Sequence, residues 1–325
     1  MLWVLAVCGC GWVVWVVVVY GLRARLNDGS LCEDLNLLAR NYRLDTIVGV
    51  DKRSYTQASV VRYYTRTTDR DYWLLEMAVG PGMHTKLANG LSQLQLILTE
   101  IALVDAKSVL DIGCGRGYGT AYLASCLPTV CFFGVDMVSR HIQAARQLRC
   151  QNAAFVQDEA IRFLAVAPAR FDVVYGLESL CHMDSMAKMR AFMIRCRGVL
   201  EPGGRLVIVD RFRSAAFERA SADQQLALGL AECGFRIRNM PSKSDWIMEA
   251  ALYGFKLERN LDLTADAMPF WTRGWKITRV LLRLGVARVL PVESAANLMA
   301  VATIAHAMRD RAAAEYGMLV FSASE

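Results

Sequence analysis

Residues 109–119 read Val-Leu-Asp-Ile-Gly-Cys-Gly-Arg-Gly-Tyr-Gly and combine a carboxylate with closely spaced glycines. An apolar run precedes the glycines and a helix-like segment follows, so the stretch predicts a strand, a tight turn and a helix start. The glycines that would let the backbone approach a ligand are Gly113, Gly115 and Gly117. A dinucleotide-binding turn would also require glycine where this chain has Tyr118. Asp111 would repel a pyrophosphate and attract a nucleotide-type cofactor with a cationic amino-acid end.

Two further carboxylates follow apolar segments, as expected at the ends of successive strands. Asp136 ends the segment from Cys131 and lies 25 residues after Asp111, where a carboxylate can hold both ribose hydroxyls. Asp158 lies 22 residues later and ends the segment from Ala154. Each acid alone is more often a turn or helix-cap residue, but three at strand ends indicate one cofactor site. The predicted site also includes three neighbouring residues: Cys114, Met137 and Glu159.

Residues 109–119 resemble motif I of class I S-adenosylmethionine-dependent methyltransferases. The resemblance implies S-adenosylmethionine as cofactor and an α/β, Rossmann-like fold with a seven-stranded, mostly parallel sheet covered by helices on both faces. It also implies that Asp158 accepts a hydrogen bond from the adenine amino group. The alternative is a glycine turn without a ligand, which the flanking strand and helix patterns disfavour.

The loop after the predicted strand Phe171–Tyr175 carries Glu178 and His182, four residues apart. Ligands bind at the carboxyl ends of such strands, so this loop is expected beside the cofactor. Its Glu-x-x-x-His pattern resembles the corresponding loop of sterol side-chain and tocopherol methyltransferases. Other segments resemble the same group: Tyr63-Tyr64, Asp71-Tyr72, Gly80–His84, Asp245-Trp246, Gly254-Phe255 and Pro269–Trp271. Unlike the sterol enzymes, this chain has no Trp-Gly pair before the upstream histidine.

Methyl transfer from a sulfonium requires a nucleophile held in line with the methyl group and the exclusion of water. If the nucleophile is an alkene or ring carbon, the resulting cation needs aromatic faces or carboxylates, and then a base. We expect Tyr64 to supply an aromatic face, Glu178 to stabilise positive charge, and His182 or His84 to accept the proton. Packing, capping and ion-pair roles are the structural alternatives. An amine or hydroxyl acceptor would use the same histidine, so the acceptor atom stays open.

The N-terminal segment Leu2–Leu22 contains no charged residue. At about 1.5 Å per residue in a helix it is long enough to cross a bilayer. Arg23 and Arg25 follow it, so the positive-inside rule places the rest of the chain in the cytosol. We predict an uncleaved single-pass membrane anchor. A cleaved signal peptide is the alternative, although it would need a basic start and a small-x-small site.

The composition narrows the classes of partner and cofactor. The chain has 325 residues, 54% of them hydrophobic, and a formal net charge of +6, which slightly favours an anionic membrane surface and does not by itself argue for nucleic acid. A lipophilic small molecule is the expected substrate because of the predicted anchor and the resemblance to lipid methyltransferases. Its ten cysteines form no C-x-x-C pair, so we expect no metal site and no redox motif.

Strand-like and helix-like segments alternate between residues 105 and 210, which predicts a parallel sheet. Pro202–Gly204 predicts a turn before the strand from Arg205, and Met318–Ser322 predicts a closing antiparallel strand at the sheet edge. The expected order is an anchor (1–22), a connector (23–53), a helical cap (54–104) and a methyltransferase domain (105–325). Within that domain, 211–268 is expected to be a substrate-binding insertion, followed by a helical C-terminal region.

Four basic residues of the C-terminal region fall on one helical face: Arg273, Lys276, Arg279 and Arg283. A basic amphipathic helix favours an anionic bilayer, and packing on the domain is the alternative. Together these patterns predict a membrane-anchored methyltransferase that methylates a prenyl-type or sterol-like lipid at carbon. The alternatives are a fatty acyl chain, quinone or phospholipid amine as acceptor, or a non-catalytic scaffold that binds S-adenosylmethionine.

Overall fold

The computed structural model describes residues 30–41, 55–67, 92–285 and 292–324. The strands are β1 Ser108–Ile112, β2 Cys131–Asp136, β3 Ala153–Gln157, β4 Phe171–Leu177, β5 Leu200–Arg213, β6 Phe255–Asp262 and β7 Ala314–Ala323. The α-helices are α1 Leu31–Asn41, α2 Gln57–Thr67, α3 Gln93–Leu103, α4 Tyr118–Cys126, α5 Ser139–Gln147, α6 Ala160–Ala165, α7 Met186–Val199, α8 Ala222–Phe235, α9 Lys243–Leu252, α10 Thr264–Arg283 and α11 Val292–Met308. None of these helices is long and apolar enough to cross a membrane. The predicted anchor and His84 lie outside the described residues.

The seven strands form one sheet in the order β3-β2-β1-β4-β5-β7-β6. Strands β1 to β5 pair in parallel, and β7 runs antiparallel to both of its neighbours. The predicted seven-stranded, mostly parallel sheet is therefore confirmed. Its central strands are buried along most of their length, as expected for a parallel sheet with covered faces.

The prediction that the C-terminal strand closes the sheet at its edge is wrong. Strand β7 lies between β5 and β6, and β6 forms the edge. Burial explains the order, because residues 316–321 of β7 are buried on both faces whereas β6 is largely exposed. The charged side chains of β6, including Lys256 and Glu258, suit an edge strand that must not pair with another chain.

The predicted turn at Pro202–Gly204 lies inside β5, which begins at Leu200 rather than Arg205. The pairing with β4 is irregular there: Phe171 pairs with Leu200, and Val173 already pairs with Arg205. Gly203 adopts a left-handed φ of 74° within the extra residues. The glycines therefore form a bulge that interrupts the strand without ending it.

The chain divides into two compact units that are not continuous in sequence. Of the described residues, the sheet unit comprises 92–215, 238–265 and 314–324, and the helical unit comprises 30–41, 55–67, 216–237, 266–285 and 292–313. The linear division expected from the sequence assigns 211–268 to one insertion, whereas these units separate 216–237 from the strand β6. The sheet unit has one large core cluster that includes Leu110, Phe192, Trp246 and Phe321.

The helical unit contains α1, α2, α8, α11 and all but the first two residues of α10. Helices α8 and α11 approach closely at Gly234, where an added Cβ would lie 2.4 Å from the carbonyl oxygen of Ala296. The predicted basic face of α10 is not uniformly exposed. Arg279 is buried, and so are Trp271 and Trp275. One side of this helix therefore packs within its unit, while Arg273 and Arg283 are exposed, and contact of the basic face with a bilayer stays a prediction.

Candidate cofactor-binding site

The glycine loop after β1 is tied to the end of β2 by its backbone. The amides of Gly113 and Cys114 both donate to the carbonyl oxygen of Val135, at 2.7 and 3.1 Å. Gly113, Gly115 and Gly117 all have left-handed φ angles, of 74°, 54° and 79°. The loop thus needs glycine for its conformation at each predicted position.

The three glycines differ in what surrounds them. A Cβ at Gly113 would lie 2.4 Å from the Cβ of Ser179, and one at Gly117 would lie 2.7 Å from the Cβ of Ala145. A Cβ at Gly115 would meet no atom of the described residues within 4 Å. Gly115 therefore borders open space, which is the observation expected where backbone must lie against a cofactor.

Asp111 is buried at the end of β1 and accepts hydrogen bonds at Oδ2 from two hydroxyls. Thr120 on α4 and Tyr175 on β4 each donate to it at 2.6 Å. Burial raises the pKa of Asp111 to about 6, and these two hydrogen bonds oppose that rise. A buried carboxylate whose ionisation is costly gains most from a cation placed beside it.

Asp136 ends β2 and organises the same loop. Its Oδ2 accepts from the backbone amide of Gly115 at 3.0 Å, and its Oδ1 accepts from that of Val138 at 2.7 Å. The Nδ1 atom of His141 lies 3.4 Å from Oδ1. Asp136 therefore holds the glycine loop in place, and its contact with the ribose hydroxyls stays a prediction. Met137 is half-buried beside it, and Cys114 is half-buried in the loop.

The acids after β3 are engaged locally. The carboxylate of Asp158 accepts from the Glu159 amide and from the guanidinium of Arg162. Glu159 caps α6 by accepting from the backbone amide of Arg162 at 2.8 Å. The backbone still ties Asp158 to the site, because its amide donates to the carbonyl oxygen of Asp136 at 3.1 Å. The adenine contact of Asp158 and the cofactor contact of Glu159 stay predictions.

Glu178 follows β4 in a left-handed conformation with a φ of 51°. Its Oε1 accepts from the hydroxyl of Tyr316 on β7 at 2.9 Å and from Nε2 of Gln93 on α3 at 3.2 Å. Its Oε2 lies 3.9 Å from the Arg211 guanidinium on β5. Burial, followed by the charge of Glu178, raises the pKa of Tyr316 well above its ordinary value, so the phenol stays protonated and donates. Three elements thus orient this carboxylate.

Glu178 is adjacent in sequence to a direct contact with the glycine loop. Ser179 donates from its hydroxyl to the carbonyl oxygen of Ile112 at 2.5 Å, and its Cβ closes the space beside Gly113. The loop after β4 therefore abuts the loop after β1. This arrangement supports the expected position of Glu178 beside the cofactor loop.

His182 is less suited to accept a proton than the sequence suggested. Burial and then the positive charge of Arg211 lower its pKa to about 4. The imidazole is therefore neutral at pH 7 and only weakly basic. Tyr64 belongs to the helical unit, where its ring contacts that of Tyr63 edge-on at 5.1 Å between centroids. The catalytic roles of His182, Tyr64 and His84 stay predictions.

Several residues of the site were not found from the sequence. Tyr175 pairs in register with Asp111 on the neighbouring strand, so the parallel pairing of β1 and β4 could have indicated it. Tyr316 and Gln93 could not be found in this way, because they lie 138 and 85 residues from Glu178. No local pattern connects them to the loop after β4.

The geometry defines a class of domain: a parallel sheet with a cofactor cradle at the carboxyl ends of β1 and β2. Comparison with known proteins identifies it further. Residues 109–204 match a family model described as a methyltransferase domain. This chain therefore contains a class I S-adenosylmethionine-dependent methyltransferase domain, and its cofactor is S-adenosylmethionine.

Curated relatives match part of the chain. A fatty-acid O-methyltransferase of Mycolicibacterium smegmatis is 34% identical over 131 residues, which cover 38% of this chain and 46% of that protein. A chloroplastic tocopherol O-methyltransferase of Arabidopsis thaliana is 28% identical over 198 residues, covering 55% and 54%. The chain thus spans about half the length of these relatives.

Solved structures show the same fold over more of the chain. A cyclopropane synthase from Mycobacterium tuberculosis has a TM-score of 0.66 at 13% identity, covering 82% of this chain and 98% of that one. A geranyl diphosphate C-methyltransferase from Streptomyces coelicolor, solved with Mg²⁺, a substrate analogue and S-adenosylhomocysteine, has a TM-score of 0.60 at 16% identity, covering 83% and 98%. At these identities the likeness concerns the fold alone.

Proposed function

We propose that this protein transfers a methyl group from S-adenosylmethionine to a lipophilic acceptor. The observation that carries the proposal is the open space at Gly115, bordered by a loop that the carboxylate of Asp136 holds in place. When bound, the cofactor supplies an electrophilic sulfonium methyl group. Asp111 would attract the cationic amino-acid end of the cofactor, and Asp136 would accept hydrogen bonds from the ribose hydroxyls.

A lipophilic acceptor is supported by the printed activities of similar proteins. The curated relatives act on a fatty acid and on tocopherol, and a structural neighbour acts on geranyl diphosphate. These acceptors share a long apolar part and differ in the atom that is methylated. Carbon methylation of a prenyl-type or sterol-like lipid remains our proposal for the acceptor, and oxygen methylation is the second candidate because both of those curated relatives are O-methyltransferases.

The carboxylate of Glu178 supports an acceptor that carries or gains positive charge during the reaction. Tyr316 and Gln93 fix its direction, and Arg211 lies 3.9 Å away. A fixed carboxylate stabilises a developing cation without having to reorganise. It would oppose an anionic acceptor placed next to it, which must therefore be neutralised or held elsewhere.

The direct test is methyl transfer by the full chain to a lipid panel. The panel comprises palmitate, a tocopherol precursor, geranyl diphosphate and a sterol with an unsaturated side chain, each incubated with S-adenosylmethionine carrying a deuterated methyl group. Mass spectrometry should show one labelled methyl on at least one lipid and none when S-adenosylhomocysteine replaces the donor. Retention of the donor with no product across the panel and further lipid extracts would instead support the non-catalytic scaffold.

We further propose that residues 1–22 anchor the protein in a membrane with the methyltransferase domain in the cytosol. The support is the uncharged segment Leu2–Leu22 followed by Arg23 and Arg25. Removal of residues 1–22 should shift the protein from the membrane fraction to the supernatant. Retention in the membrane fraction after a high-salt wash would contradict this anchor.

A further inference from the structure

The helical unit contains a fully buried carboxylate, Asp34 on α1, that gathers three partners from two other helices. From α10, the indole Nε1 of Trp275 donates to its Oδ2, and Nε of Arg279 lies 2.8 Å from its Oδ1. From α11, Nε2 of His306 lies 2.8 Å from Oδ2. A buried carboxylate is tolerated only with partners of this kind. Asp34 therefore fixes the orientation of the His306 ring.

The contact with Asp34 also determines which ring nitrogen of His306 is available. The carboxylate accepts a hydrogen bond from Nε2–H, which leaves Nδ1 as the ring nitrogen that can contact a ligand. The edge-on ring of Trp275, 5.0 Å away between centroids, restricts the imidazole further. The His306 ring is thus held by a hydrogen bond at Nε2, and Nδ1 is left to contact a ligand.

His306 lines a recess in the helical unit. The recess has a volume of about 190 Å³, and the described residues that line it are Met268, Thr272, Trp275, Ala305, His306 and Arg309. Met268, Ala305 and the Trp275 ring give it an apolar wall. A concave surface with an apolar wall and a few convergent polar groups is the usual form of a small-molecule site.

Two polar side chains of this recess, Thr272 and Arg309, have no hydrogen-bond or ion-pair partner in the part of the chain that the structure describes. In the same part of the chain, His306 bonds only through Nε2. In contrast, the buried Arg279 is neutralised by Asp34 and by Glu33, whose Oε2 lies 3.5 Å from it. The recess therefore contains one cation without a counter-charge among the described residues, Arg309, and two groups that can form hydrogen bonds, the Thr272 hydroxyl and Nδ1 of His306.

We propose that this recess binds an anionic amphiphile, whose carboxylate or phosphate group contacts Arg309, Thr272 and His306 while its apolar part packs on Trp275 and Met268. Guanidinium pairs with either anion in a two-pronged geometry, and the threonine hydroxyl donates to a further oxygen. The imidazole accepts an O–H from a protonated acid group, or donates when it is itself protonated. A cationic ligand would be repelled by Arg309.

The competing interpretation is that the Asp34 cluster only joins α1 to α10 and α11. That role accounts for Trp275 and Arg279, which contact Asp34 directly. It does not account for Thr272 and Arg309, which contact neither Asp34 nor each other in the described part of the chain and yet line the same recess. The two interpretations differ in what happens when Arg309 is neutralised.

The test is calorimetric titration of the full chain with decanoate, decyl phosphate, decanol, acetate and inorganic phosphate, each below its micellar concentration. We expect decanoate or decyl phosphate to bind at least tenfold more tightly than decanol, acetate or phosphate. The tighter of the two identifies the head group as a carboxylate or a phosphate. Arg309→Gln should weaken that binding at least tenfold, and Thr272→Val about threefold.

The matched control is Arg273→Gln, which removes the same charge from an exposed position of α10 outside the recess. It should leave the affinity unchanged, and both arginine variants should retain the wild-type melting temperature. Equal affinity of decanol and decanoate, no binding of either anion, or equal affinities of Arg309→Gln and wild type would overturn the proposal. Binding of S-adenosylhomocysteine is measured on the same samples, so failure here is distinct from failure of the proposed methyl transfer.

Discussion

Replacement of Gly115 by alanine separates cofactor binding from folding more sharply than any other change in the loop. The residue has a φ of 54°, so a side chain there costs about 1–2 kcal/mol of folding stability. No atom of the residues that the structure describes lies within 4 Å of the new Cβ, so these residues add no steric repulsion in the free protein. We therefore expect Gly115→Ala to fold with a melting temperature lowered by roughly 2–8 °C.

The added methyl group of Gly115→Ala would occupy the space in which the cofactor must lie. Forcing one methyl group into a filled site costs about 1–3 kcal/mol. Such a cost corresponds to an affinity for S-adenosylhomocysteine that is lower by about 5- to 150-fold. Calorimetric titration measures this change directly.

The chain offers a matched control at Gly203. It also has a left-handed φ, of 74°, and among the described residues a Cβ there would likewise meet no atom within 4 Å. Gly203→Ala should therefore lower the melting temperature by a similar amount and leave the affinity unchanged. Gly117→Ala is unsuitable, because its Cβ would lie 2.7 Å from that of Ala145 and would disrupt the fold. If Gly115→Ala binds S-adenosylhomocysteine as tightly as Gly203→Ala does, the cofactor does not lie against Gly115.

Three other changes test the carboxylates of the sheet unit. Asp136→Ala removes the acceptor of the Gly115 amide as well as the predicted ribose contact, so S-adenosylhomocysteine affinity in calorimetry should fall at least a hundredfold; a loss under threefold would contradict the assignment. Affinity of the wild type for S-adenosylmethionine should rise with pH through about 6, as Asp111 ionises, and then level off, whereas Asp111→Asn should bind weakly at every pH. The raised pKa of Asp111 means that its ionisation costs folding free energy at pH 7. Asp111→Asn should therefore also stabilise the free protein at that pH, by up to about 3 kcal/mol in urea unfolding. Unchanged binding of S-adenosylmethionine by this variant, or a lower stability, would refute these roles of Asp111. Tyr316→Phe leaves Glu178 with one donor fewer, so kcat should fall about tenfold at unchanged KM for S-adenosylmethionine; equal losses in both would indicate a general structural defect.

The sequence predicted the part of the fold that depends on local patterns. The spacing of the glycines, the apolar runs and the acids at strand ends correctly located β1, β2, β3 and the glycine loop after β1. These features depend on residues close together in the chain, which is why one sequence suffices to find them. The confirmed sheet follows from the alternation of strand-like and helix-like segments over residues 105–210 together with the resemblance of residues 109–119, and the cofactor follows from that resemblance.

Features set by long-range packing were predicted less well. The order of β7 and β6 in the sheet depends on which of the two strands has both faces covered. In the sequence, Met318–Phe321 is only an apolar run, which suits either an edge strand or a central strand of the sheet. The orientation of Glu178 depends on Tyr316, far away in sequence, so a lone acid in a loop carried no sign of its partners. Arg279 looked like one more residue of a basic face because its buried partner Asp34 lies 245 positions earlier.

The central claim is that S-adenosylmethionine lies over the loop from Gly113 to Gly117, between the carboxylates of Asp111 and Asp136. A crystal structure of the full chain with S-adenosylhomocysteine measures this most directly. The account predicts ribose hydroxyls within hydrogen-bonding distance of Asp136 and ligand atoms in van der Waals contact with Gly115. A ligand bound elsewhere, or one with both carboxylates directed away from it, would contradict the account.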